Sequence, residues 1–213
     1  RQLAAETAEV VFTAQQTLGE AQTFYRDVKR RAREAGRDPG TVLIMPGFGI
    51  LVRETQAEAE DVFQQLQDLI NPDVGISLLS RYMGTDMGIY DIDGPVPELP
   101  SGGDAFSRTG LLLAAARRDG LTIRQLYQKI AGGRGHFQVI GSPTYVADVM
   151  QEWFENEAAD GFNMIPPLFP TGVEHIVEHL VPELQRRGLF RTAYEGTTLR
   201  EKLGLPTPVP QRG

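Results

Sequence analysis

The chain contains no cysteine. That removes disulfides, thiolate nucleophiles and zinc–thiolate sites together, and it fits a reducing, cytoplasmic setting. Nor does it contain a run of 18 apolar residues, so no membrane-spanning helix is expected. Basic residues are in the minority: 21 Lys and Arg stand against 28 Asp and Glu, a formal net charge of -7. Such a balance argues against a nucleic-acid partner held on a basic surface. Internal repeats and low-complexity tracts are absent too. No secretory leader is visible, although the first residue is Arg1 rather than Met, which leaves an upstream leader open. What remains is 213 residues, 41% of them hydrophobic, enough for one sizeable core.

The most informative stretch runs from Gly141 to about Arg187. Ser142-Pro143 offers an N-cap followed by proline at the first helical position, where the missing N–H costs nothing. Val146, Val149, Met150, Trp153 and Phe154 recur at helical spacing and predict one apolar face. Asp160-Gly161 breaks that helix, and Phe162 to Ile165 reads as a short, fully buried strand stopped by Pro166-Pro167. Thr171 and Glu174 have capping-box spacing for a following helix, with Val173, Ile176, Val177, Leu180, Val181 and Leu184 as its buried stripe. Pro182 predicts a kink near that helix's last turn. A buried strand between two helices belongs to a parallel sheet covered by helices.

Earlier in the chain the same alternation recurs. Residues 1–9 look helical and Val10-Val11-Phe12 look like a strand. Thr17 with Glu20 caps a helix whose face is Leu18, Ala21, Phe24, Tyr25, Val28 and Ala32, ended by Gly36. Thr41 to Met45 is a β-rich apolar run, which Pro46-Gly47-Phe48-Gly49 is expected to bend before Ile50-Leu51-Val52 resumes. Thr55 with Glu58 caps a third helix carrying Val62, Phe63, Leu66 and Ile70, which stops at Asn71-Pro72. From 71 to 135 the alternation lapses into an insertion, with Tyr82 to Met87 and Asp91 to Pro100 irregular and helices over 107–118 and 122–131. His136 to Ile140 is a strand that feeds the 141–187 stretch, and residues 191–213 form a polar, Pro-rich surface tail. Three or four parallel strands suit an open doubly wound sheet or part of a (β/α)8 barrel. A complete barrel takes about 250 residues and eight strands, so this chain looks like the second half of one.

His175-Ile176-Val177-Glu178-His179 matches the H-x-x-E-H zinc-protease pattern. The apolar stripe of the same helix points away from His175, Glu178 and His179, however, so they are expected to face water, and no metal site is assigned.

Several ordered motifs together resemble one family. They are Phe12-Thr13-Ala14, Tyr90-Asp91-Ile92-Asp93-Gly94-Pro95, Leu121-Thr122-Ile123-Arg124, Gly135-His136 with Gly141-Ser142-Pro143, Ala159 to Asn163, and Val181 to Phe190. The chain is similar, over essentially its whole length, to flavin-dependent monooxygenases of the nitrilotriacetate monooxygenase component A group, within the bacterial-luciferase-like superfamily. The resemblance implies a fold: the C-terminal half of a (β/α)8 TIM barrel with a helical insertion, residues 1–213 forming a single domain. It also implies a function: use of O2 and reduced FMN, supplied by a separate flavin reductase, to oxygenate a small organic substrate through a flavin peroxide. Family members act on aminopolycarboxylates, aryl sulfones, long-chain alkanes and antibiotic precursors, and assemble as homo-oligomers. They are about twice as long as this chain, so the N-terminal barrel half and its phosphate loop are expected from other polypeptide. A non-catalytic barrel fragment and a deazaflavin-dependent oxidoreductase of the same superfamily are the alternative readings.

On a barrel, Phe12, Thr13 and Ala14 would sit at the C-terminal rim of a strand, where backbone and hydroxyl groups meet a cofactor; a capped helix start is the plain alternative. Phe48 and Met164 would supply apolar walls for substrate, with core packing as the alternative. His136, beside a strand and a Gly-rich loop, would contact substrate, or else be a satisfied structural histidine. Arg134 would offer charge to a phosphate or carboxylate, or else be solvated. Tyr82, Met83 and Tyr90 would lie in an insertion that closes over the site as a lid. No catalytic residue is assigned.

Overall fold

A computed structural model describes residues 1–99, 108–133 and 135–206. In chain order the elements are α1 (Gln2–Thr7), β1 (Val10–Thr13), α2 (Leu18–Glu34), β2 (Leu43–Val52), α3 (Gln56–Asp68), α4 (Pro72–Met83), α5 (Arg108–Asp119), α6 (Ile123–Gly133), β3 (Phe137–Gly141), α7 (Pro143–Glu155), β4 (Asn163–Met164), α8 (Thr171–His175), a π-helical turn (Ile176–Leu180), α9 (Val181–Arg186) and α10 (Leu199–Lys202).

Everything is built on β2. Its first half runs parallel to β1, with Val10 opposite Leu43 and Thr13 opposite Pro46. Its second half runs parallel to β3, with Phe48 opposite Phe137 and Val52 opposite Gly141. β4 joins at the middle, placing Asn163 opposite Gly47 and Met164 opposite Phe48. The expected interruption at Pro46 to Gly49 does not occur: β2 is one ten-residue strand. Phe48 is paired through both of its edges, and Gly47 serves side-chain packing rather than a bend.

Period-two alternation divides the two faces of β2. Phe48, Ile50 and Val52 enter a core with Val146, Ala147, Met150 and Trp153 of α7 and with Ile176, Leu180 and Leu184. Upstream, Ile44 and Val11 pack against Val28 and Ala32 of α2. The opposite face carries Gly47, Gly49 and Leu51, with α3 over its far end.

Two stripes differ in detail from their expected form. In α7, Val146, Ala147, Met150 and Trp153 are buried while Phe154 is half exposed. In the last helical region Ile176, Leu180 and Leu184 form the buried row, and Val173 and Val177 are exposed. The π-helical turn shifts the phase of that stripe. It lies just before Pro182, which has no N–H to continue the α-helical ladder, so the disturbance expected as a kink takes this form. Thr171 makes no capping bond, because Pro170 occupies the N-cap position of α8. β4 is not buried as expected: Asn163 and Met164 are exposed, since they pair with β2 alone among the described residues.

The insertion folds around a core of its own. Asn71 does not end a helix; its side chain caps α4, with Pro72 at the first helical position. Leu79 and Met87 then pack with Ile123, Leu126, Tyr127 and Ile130 of α6. Gly75 is required there, since a Cβ would lie 2.3 Å from the Tyr127 ring. Within the described part of the tail, Thr198 and Glu201 form a full capping box, Leu205 is buried, and Arg200 bonds Glu9 at 2.6 Å. No helix among the described residues is long and apolar enough to cross a membrane.

Candidate functional site

At the C-terminal end of β1, the Phe12 ring meets the His136 ring with centroids 5.1 Å apart. Both rest on Gly47 of β2. A Cβ at that position would lie 2.5 Å from His136 Nδ1 and 2.9 Å from Phe12 Cε2, closer than real Cβ contacts allow. Glycine is therefore what lets the two rings, tilted 36° to each other, lie together over the strand. Phe12 is 56% exposed, an unusual state for a phenylalanine at the centre of an apolar strand sequence. Asn163, opposite Gly47 in register, shares this row and donates from Nδ2 to the Met45 carbonyl at 3.0 Å.

The loop that delivers His136 is fixed by backbone geometry. Gly135 has φ +88°, in the region that favours glycine, and the His136 amide donates to the Gly133 carbonyl at 2.8 Å. Gln16 Nε2 donates to the Gly135 carbonyl, which ties this loop to the segment after β1. Gln15 Nε2 donates to the Thr13 hydroxyl at 2.7 Å. Sequence reasoning missed Gln15, Gln16 and Asn163. Two amides between a strand end and the Thr17 cap were a usable signal.

Ala14, Gln15, Gln16, Phe24, Gly135 and His136 line an open cavity of about 800 Å³ beside the start of α2. Its cations are occupied: Arg1 pairs with Asp27 at 3.0 Å and Lys129 with Asp119 at 2.9 Å. The Glu20 carboxylate accepts from the Gln16 amide at 3.1 Å and brings negative charge to the helix start. The residues present thus fit a flat aromatic ring laid on the Phe12–His136 ledge. Among the described residues there is no phosphate cradle.

The other expected site residues go elsewhere. Phe48 is fully buried, its ring 4.8 Å from Trp153, 4.6 Å from Phe162 and 5.3 Å from Phe137. It points to the helix-covered face of β2, so it is a core residue and not a substrate wall in this structure. Met164 pairs with Phe48 and is exposed at the outer side of β4, one residue out of step with the ledge row. Tyr82 and Met83 end α4 and pack on the insertion's own core. Arg134 lies outside the described residues. His175 and His179 are both half-buried, not turned fully to water, with rings 5.3 Å apart.

Comparison with known proteins agrees with the motif resemblance. Residues 1–160 match the luciferase-like monooxygenase family model. The chain is 49% identical over 210 residues to N-acetyl-S-(2-succino)cysteine monooxygenase of Bacillus subtilis (strain 168), covering 97% of this chain and 48% of that protein. It is 48% identical over 210 residues to nitrilotriacetate monooxygenase component A of Aminobacter aminovorans, covering 98% and 46% respectively. Among solved structures, EDTA monooxygenase from Chelativorans sp. BNC1 superposes with a TM-score of 0.70 at 30% identity, over 96% of this chain and 48% of that one. The chain spans about half the length of the curated relatives it matches. Its parallel sheet and covering helices make up about half of a luciferase-like TIM barrel. The chain belongs to the luciferase-like monooxygenase family.

Proposed function

We propose that this chain is part of a two-component monooxygenase that takes reduced FMN from a separate flavin reductase and uses O2 to oxygenate a small organic substrate. The observation that carries the reading is the Phe12–His136 ledge over Gly47, an exposed aromatic platform at the C-terminal end of a parallel strand, where barrel enzymes place their chemistry. Reduced FMN, when bound, supplies the electrons that activate O2. The chain's own residues would do the holding: Phe12 would lie against the flavin ring, and the Thr13–Gln15 and Gln16–Gly135 bonds fix the two segments that would frame it. Names of the relatives support oxygenation of a small organic molecule.

β1 and β4 each pair with β2 alone among the described residues, and Val10, Phe12, Met164 and Ile165 are exposed apolar side chains on or beside them. This supports completion of the barrel by further strands, which would also bring the phosphate cradle that the described residues lack. The insertion, with its separate core, would then act as a lid bearing Tyr82 and Met83, in a cytoplasmic homo-oligomer.

The test is to supply the full-length polypeptide with enzymatically reduced FMN and ¹⁸O2, together with candidate thioether and aminopolycarboxylate substrates, and to search for an oxygen-labelled product. Labelled product dependent on the protein supports the reading. Failure of the full-length protein to bind reduced FMN overturns it.

A further inference from the structure

A second cavity, of about 180 Å³, opens on the same face of β2 as the ledge. The strand's alternation puts Gly47, Gly49 and Leu51 on that face in turn. His136 stands over Gly47, while Gln138 pairs with Gly49 and Ile140 with Leu51. Along the other edge Asn163 pairs with Gly47, and the Ile165 amide donates to the Phe48 carbonyl at 2.7 Å. The cavity therefore begins one pleat beyond the ledge, about 7 Å along the strand. Leu51, Phe63, Leu66, Ile140 and Ile165 give it apolar walls, and no charged side chain lines it.

Gly49 adds an independent observation. Glycine in a strand interior weakens the strand, so its presence needs a reason. Backbone geometry supplies none, because Gly49 lies within β2 without a positive φ. Packing supplies none either. A Cβ at Gly49 would find its nearest neighbour, Gln138 Cγ, at 3.4 Å, an ordinary contact, whereas one at Gly47 would lie 2.5 Å from His136. A side chain at position 49 would instead project into the cavity that Gly49 lines. What the glycine spares is that space. An apolar cavity of about 150 Å³ already takes benzene, so a phenyl ring or short alkyl chain fits here. A charged group would lose its hydration with no counter-charge to meet it.

We propose that this cavity receives an uncharged, apolar segment of the organic substrate while the substrate's reacting atom lies over the ledge. The proposal rests on the flavin reading, and it makes Gly49 and Leu51 the residues that set how large the segment can be.

The probe is toluene, titrated by calorimetry into the full-length protein under anaerobic conditions, with and without reduced FMN. Saturable binding is expected in both cases, together with a change in the absorption of bound reduced FMN. Gly49→Val should weaken toluene binding roughly tenfold or more and leave reduced-FMN affinity unchanged. Leu51→Phe fills the same space from the next pleat if the valine variant does not fold. Gly49→Ala should be at least as stable as wild type, the opposite of Gly47→Ala. No saturable toluene binding, or binding that both Gly49→Val and Leu51→Phe leave intact, would overturn the pocket. Toluene that binds without altering the flavin absorption would overturn its tie to the substrate. Toluene binding by a wild-type protein that takes no reduced FMN would overturn the flavin reading, and the substrate role with it, while the pocket itself stands.

Discussion

Asp160 receives the buried ammonium of Lys29 at 2.8 Å, and the same carboxylate accepts from the Ile44 amide at 2.7 Å and the Tyr25 hydroxyl at 2.8 Å. Lys29 Nζ also donates to the carbonyls of Pro39 and Val42. Four segments are thus pinned at one point: α2, the turn before β2, β2 itself and the entry to β4. Burial, then the bond to Asp160, holds the Tyr25 hydroxyl far above its ordinary pKa, so it stays a donor throughout the accessible range. Asp160→Asn leaves Lys29 buried without its counter-charge. We predict a loss of about 2–4 kcal/mol, somewhat under the cost of breaking a fully buried pair. Chemical denaturation measures it, and an unchanged midpoint would contradict the role.

Gly47→Ala should separate binding from folding. The added methyl displaces two ring edges, and an overpacked contact of this kind costs about 1–3 kcal/mol. The larger effect should fall on reduced-FMN affinity, because both rings of the Phe12–His136 ledge must shift to admit the methyl. In a His136→Ala background the same alanine should cost much less stability. Equal penalties in both backgrounds would show that the two residues do not compete for the same space.

Acid should loosen specific contacts. Asp119 is held down to about 2 by Arg118 and then Lys129, and Glu183 to about 2 by Arg186 and then Arg187. Their ordinary values are 3.8 and 4.5. A lowered folded value means stability that is full above the unfolded value and is lost as pH falls through the folded one. Denaturation midpoints should therefore drop between about pH 4.5 and 2. Asp119→Asn and Glu183→Gln should each start lower at neutral pH and flatten that drop. A variant with the same slope as the parent would remove its residue from the account.

Phe48→Ala empties the centre of the Trp153, Phe137 and Phe162 cluster and should cost about 3–5 kcal/mol. Trp153 fluorescence should shift to the red as its edge-on partner disappears. Bound reduced FMN should be affected only through stability, which distinguishes a core phenylalanine from a substrate wall.

Much of this was legible from local rules. Thr17 and Thr55 accept from the amides of Glu20 and Glu58, and Ser142 with Pro143 opens α7, as their spacing indicates. Local rules cannot show which neighbour a strand acquires. Pro46 and Gly47 looked like a break because their purpose is on other strands: Gly47 makes room for a ring from β1 and another from the loop before β3. Phe48 looked available because its three aromatic partners lie 89 or more residues away in sequence. The π-helical turn was signalled by Pro182, but its effect on Val173 and Val177 depends on a phase shift that a fixed helical period does not contain. His136 was identifiable by its place beside the Gly-rich loop, and Phe12 by its place at the strand end. That the two would touch was not.

The most direct test of the central claim is an anaerobic titration of reduced FMN into the full-length polypeptide, comparing wild type with Phe12→Ala and His136→Ala. The account predicts saturable binding by the wild type and a loss of roughly tenfold or more in each variant, with folding intact by circular dichroism. Wild-type affinity retained in both variants would contradict it, and the ledge would then be packing alone.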